Sequence, residues 1–152
     1  MKTVRENFKY SAGGLAGVTL VNVEVSRCPG CGEFEVSIPR VEELHRTLAR
    51  AVARKPGRLA PPEIRFLRKW LGWSGVDFAA HMGVDAATVS RWENGALKMG
   101  GVAERLLRLM VATRKPVTDY SLDLLKDIDE ATEAPLRLGM RADAKGWHVA
   151  AA

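Results

Sequence analysis

Val76-Asp77-Phe78-Ala79-Ala80-His81-Met82-Gly83-Val84-Asp85-Ala86-Ala87-Thr88-Val89-Ser90-Arg91-Trp92-Glu93-Asn94-Gly95 reads as two short helices joined by a sharp turn. Ser74, with Asp77 three residues on, has the spacing of a capping box and starts the first helix. Two helices cross at a steep angle only where the side chains at the crossing are small, and Ala79 supplies that on the first helix. Gly83 can take the positive φ that a sharp connection demands. Asp85 caps the second helix, which ends at Asn94-Gly95. Its inner face is Val84, Val89 and Trp92. Its outer face is small and polar, with Ala87, Ser90, Arg91 and Asn94, a surface that fits a DNA major groove.

Each outer residue has an expected task. The Arg91 guanidinium can pair bidentately with guanine O6 and N7, and Ala87 is apolar enough to touch a thymine methyl. Thr88, Ser90 and Asn94 are within the polar set that reaches bases or phosphates, with Ala86 beside them. Ser74 and the helix start it caps offer backbone N–H groups to a phosphate. Lys98, Arg65, Arg68 and Lys69 are each either phosphate contacts or solvated charges. Glu93 reads as structural, bonding backbone or a basic neighbour, and His81 as a partly exposed structural residue. These residues resemble the helix-turn-helix of the Cro/phage-repressor-like superfamily over about residues 61–112, with the Ser90–Gly95 run ending the recognition helix.

Upstream of this pair, Pro62-Glu63 opens a helix whose inner face is Ile64, Leu67 and Leu71. Downstream, Val102, Leu106, Leu109 and Met110 mark a fourth helix, and Leu122, Leu125 and Ile128 a fifth after Pro116. The run Lys55–Pro62 breaks any helix and reads as an interdomain linker. Before it, Leu44, Leu48 and Val52 form one stripe of a helix and Arg46, Arg50 and Arg54 another. Val21, Val23 and Val25 alternate with polar residues, as do Phe34, Val36 and Ile38, so two strands fold back across Cys28-Pro29-Gly30-Cys31-Gly32. A third strand over Phe8–Ala12 is also expected. The fold class is therefore α+β: a small N-terminal antiparallel β module with a helix, then an all-α helix-turn-helix domain of about five helices. The expected boundaries are a module over residues 1–55, a linker over 56–60, the helix-turn-helix domain over 61–131, and a mobile tail over 132–152.

Charge follows the same partition. Residues 1–39 are neutral, 40–115 carry fifteen basic against seven acidic groups, and 116–152 carry four against seven. The basic middle is the part able to track phosphates. No secretory leader or apolar span is apparent, so the cytoplasm is the expected compartment. No Ser/His/Asp or paired-carboxylate constellation and no phosphate-cradling glycine loop points to an enzyme. Cys28 and Cys31 have the form of a zinc knuckle. Three readings of it stand open: zinc completed by His45 or a second chain, a redox pair, or a metal-free turn. His45, on a basic helix, otherwise reads as a surface residue.

Taken together, Val21–Gly32, Ile38-Pro39 and Ser74–Gly95 resemble the MqsA family of type II antitoxins over roughly residues 8–115. The resemblance implies a homodimer that binds a palindromic DNA operator through its C-terminal domains. It implies too that the N-terminal module captures a toxin, commonly a ribonuclease, and that the complex represses its own operon. The family's recognition-helix arginine maps to Arg91, while its neighbouring DNA-reading asparagine maps to Ala87. The family's first Cys-x-x-Cys is absent from Met1–Arg5. A stand-alone regulator, or one responsive to thiol oxidation or metal, is the alternative.

Overall fold

The computed structural model describes residues 1–114, 122–128, 131 and 136–150. Strands β1 (Lys2–Tyr10), β2 (Val18–Arg27) and β3 (Phe34–Ser37) form an antiparallel sheet in that order. Helices α1 (Val41–Ala53), α2 (Pro61–Trp70), α3 (Gly75–Met82), α4 (Ala86–Asn94) and α5 (Gly101–Ala112) follow, then a short 3-10 helix over Leu122–Asp127. The α+β class stands as expected. The first strand is longer than expected and starts at Lys2 rather than Phe8. The stretch after Pro116 gives a short 3-10 helix where an α-helix was expected, and residues 115–121 lie outside the described set.

The valine alternation in β2 is broken by a bulge. The register with β1 shifts between Glu6 and Phe8, and Asn22 takes φ 56° with its N–H donated to Asn7 Oδ1 at 3.1 Å. An extra residue reverses the side-chain phase beyond it. Val25 and Leu20 are consequently both buried although five residues apart, and Val21 is 72% exposed. Val21 thus does not share the inner face that simple alternation assigns it.

One apolar core runs through the helices and takes in Leu15, Ala49 and Ala53 from the N-terminal half. Phe78, Leu67, Leu107 and Met110 are its largest fully buried members, each stabilising the fold by about 1.5–3 kcal/mol. Gly13, at φ +83°, lets the loop after β1 lie on Phe66, since a Cβ there would meet the Phe66 ring at 3.0 Å. The 56–60 connection is tied down on both sides. Arg108 donates to the carbonyls of Ala53, Lys55 and Gly57. The buried Glu104 carboxylate accepts the Leu59 N–H, and Arg58 reaches the Met99 carbonyl. Burial pushes the Glu104 carboxyl up, but the Leu59 N–H, Arg108 and Arg58 outweigh it and hold the group below the usual range.

The stretch expected as a mobile tail holds a hairpin of β4 (Gly139–Asp143) and β5 (Gly146–Ala150), while 132–135 and 151–152 lie outside the described residues. Its turn is made by the Asp143 carboxylate accepting the Lys145 N–H at 2.8 Å and by Gly146 at φ 115°. Alanine and glycine content concealed that turn chemistry. No helix among the described residues is long and apolar enough to cross a membrane.

Candidate nucleic-acid interface

The crossing of α3 and α4 is built as its sequence requires. Gly83 terminates α3 at φ 69°, donating its N–H to the Ala80 carbonyl, while the Val84 N–H reaches Ala79. Ala79 is buried at the contact. The Asp85 carboxylate accepts the Thr88 N–H at 2.6 Å and starts α4, and the Thr88 side chain together with that N–H holds its carboxyl below the usual range. Val89 and Trp92 anchor α4 inward, with Trp92 edge-on to Phe78.

Glu93 fixes the rotation of α4. Arg68 on α2 grips its carboxylate with Nε and with Nη2 at 3.2 Å, and donates a third bond to the Trp73 carbonyl at 2.8 Å. The two side chains are 12% and 6% exposed. Glu93 is structural, as expected. Arg68 spends three of its five N–H donors on these bonds and is largely buried, which argues against the phosphate contact expected of it. Arg65 stays exposed with its Nε 3.7 Å from Glu93.

With the inner face fixed, Ala86, Ala87, Ser90, Arg91 and Asn94 are exposed together, Thr88 is half-buried, and Lys98 is exposed just beyond. Arg91 lies along the helix, its Nε 3.3 Å from the Ala87 carbonyl and its Nη2 3.5 Å from Thr88 Oγ1. Those weak contacts leave most of its donors for a ligand. The Asn94 side-chain oxygen accepts the Ala96 N–H at 2.9 Å, so only its amide donors point outward. The Ser74 hydroxyl is committed to its capping box, accepting the Asp77 N–H at 3.1 Å and donating to the Asp77 carboxylate at 2.8 Å. The hydroxyl bond, together with the Ser74 N–H at 3.1 Å, holds the Asp77 carboxyl below the usual range. What this helix start can offer a phosphate is therefore the Gly75 and Val76 N–H groups, which have no partner inside the helix. Lys69 lies away from α4, on a cavity shared with α1 and α5.

His81 is buried rather than partly exposed. Its ring stacks on Trp73 at 3.8 Å between centroids, with Nδ1 2.7 Å from the Asp77 carbonyl and Nε2 3.3 Å from Asp123. An aromatic eight residues upstream gave no sequence hint of this stack.

Cys28–Gly32 forms a hydrogen-bonded turn between β2 and β3. The Cys28 carbonyl accepts the Gly32 N–H at 3.1 Å, and the N–H groups of Cys31 and Gly30, with the Cys31 side chain, hold the Cys28 thiol below its usual range. Two thiols do not complete a tetrahedral zinc site. Among the described residues no three His, Cys, Asp or Glu side chains gather as a metal site, and His45, the in-chain ligand of the zinc reading, is half-buried rather than a surface residue and bonds the Tyr10 hydroxyl at 2.7 Å. The described residues do not fit the metal within one chain.

Residues 64–110 match the helix-turn-helix family of Cro/C1 type, which supports a DNA-binding transcriptional regulator. No curated protein and no solved structure matches the chain.

Proposed function

We propose that the chain is a dimeric, sequence-specific repressor that blocks its own promoter, with α4 as the recognition helix. The observation that carries this is the small, polar, exposed face of α4, locked in rotation by the buried Arg68–Glu93 pair and the Val89 and Trp92 anchors. Arg91 reads a guanine, and Ala86, Ala87, Thr88, Ser90, Asn94 and Lys98 supply the surrounding base and phosphate contacts. Dimerisation is supported by α5, on which Val102 and Leu109 stand two turns apart, 84% and 58% exposed. Footprinting on the DNA upstream of its gene tests the reading. Two protected half-sites about one helical turn apart are expected, and protection without sequence preference would sink it.

The antitoxin role rests on the N-terminal sheet. Its short outer strand β3 carries an exposed Phe34, 5.8 Å from Phe8, an aromatic edge suited to a protein partner. Co-expression with the product of a neighbouring gene should yield a stable complex that the helix-turn-helix variant Arg91→Ala leaves intact. Absence of a complex with either flanking gene product would remove the toxin and leave a stand-alone regulator.

A further inference from the structure

The junction of α1, α2 and α5 encloses a half-open cavity of about 770 Å³, within the size range of small-molecule sites. Its floor is Trp70 and the buried Val111, and its walls carry Arg46 and Arg50 from α1, Lys69 from α2 and Arg114 after α5. Glu42 is the one carboxylate among its lining residues. Arg114 uses one donor on the Trp70 carbonyl and lays its guanidinium over the Trp70 ring, 4.5 Å from the centroid. The side chains of Arg46, Arg50 and Lys69 make no hydrogen bond or ion pair with any other described residue, in contrast to those of Arg58, Arg68 and Arg108, which are all engaged.

Three cations whose side chains have no partner among the described residues, held round one concavity, raise one another's electrostatic energy, and an anion seated among them relieves it. None of the lining residues belongs to α3 or α4, so the cavity is separate from the face that would meet DNA bases. Two arginines one turn apart on α1 present paired forks, which suit phosphate or carboxylate oxygens. We propose that this cavity binds a small polyanion, a molecule bearing two or more phosphate or carboxylate groups. A ligand there would touch the N-terminal module through α1 and the helix-turn-helix domain through α2 and α5.

Isothermal titration of the full chain with inorganic pyrophosphate and with citrate tests this and separates the two acid chemistries, with acetate as the monovalent control. Saturable one-to-one binding of pyrophosphate or citrate, but not acetate, is expected. The double variant Arg46→Gln/Arg50→Gln should weaken it about tenfold or more, while Arg91→Ala leaves it unchanged. Lys69→Gln gives a second, independent loss. All of these side chains are exposed, so an unchanged melting temperature will certify the fold. Binding that persists in both cavity variants, or falls equally with Arg91→Ala, would overturn the proposal. So would failure of both polyanions to bind the wild type, and a double variant that then weakens operator binding would identify the cluster as a contact for DNA phosphates.

Discussion

Replacing Arg68 by Met removes the guanidinium that locks α4 to α2 while keeping most of the apolar stem. Glu93 would then keep a nearly buried negative charge, faced by Arg65 alone at 3.7 Å from a side chain that is itself half in solvent. The Trp73 carbonyl would also lose its donor. Breaking one side of a buried ion pair costs about 3–5 kcal/mol, and the residual contact of Glu93 with water and Arg65 places this case near the lower end, about 3 kcal/mol. For a chain of this size that corresponds to a fall in melting temperature of about 6–12 °C. Thermal and urea unfolding followed by circular dichroism will measure it. The double variant Arg68→Met/Glu93→Met removes both charges and should recover at least half of the loss, because an apolar pair of similar volume carries no desolvation cost. A single variant within about 1 kcal/mol of wild type, or a double variant no more stable than the single, would refute the reasoning that this pair holds α4.

Ser74→Ala removes the hydroxyl that caps α3 and should cost about 1 kcal/mol in urea unfolding. Gly83→Ala forces a side chain into the left-handed turn at φ 69° and should cost about 1–2 kcal/mol, with poorer DNA affinity because α4 is displaced. The carboxyls of Asp77, Asp85 and Glu104 all lie below their ordinary values. Their contribution is full above the unfolded-state values near pH 4 and fades as pH falls below them. Urea midpoints at pH 7, 5 and 3 should therefore be level between the first two and drop at the third, and a flat profile would contradict the assigned bonds.

Local chemistry made the helix-turn-helix readable. Gly83, Asp85, Ala79 and the Val89/Trp92 stripe each act within one or two turns of their own position, so spacing alone exposes them. Arg68 and Glu93 are 25 residues apart, and nothing local distinguishes Arg68 from the solvated Arg65 three residues before it. The bulge at Asn22 was hidden for another reason: alternation of Val21, Val23 and Val25 survives in the letters while the backbone reverses its phase. The cavity at the α1–α2–α5 junction was half legible, because Arg46 and Arg50 stand out as a stripe. Their convergence with Lys69 and Arg114 depends on how three helices pack, which no periodicity reports.

The most direct test is a gel-shift of the purified chain on its own upstream DNA, against scrambled competitor at physiological salt, with Arg91→Ala alongside. A shift that survives competitor and weakens by about 1–3 kcal/mol in Arg91→Ala, with an unchanged circular dichroism spectrum, is the predicted result. Equal affinity of the variant and the wild type, or a salt-sensitive shift indifferent to sequence, would contradict α4 as the reader of DNA.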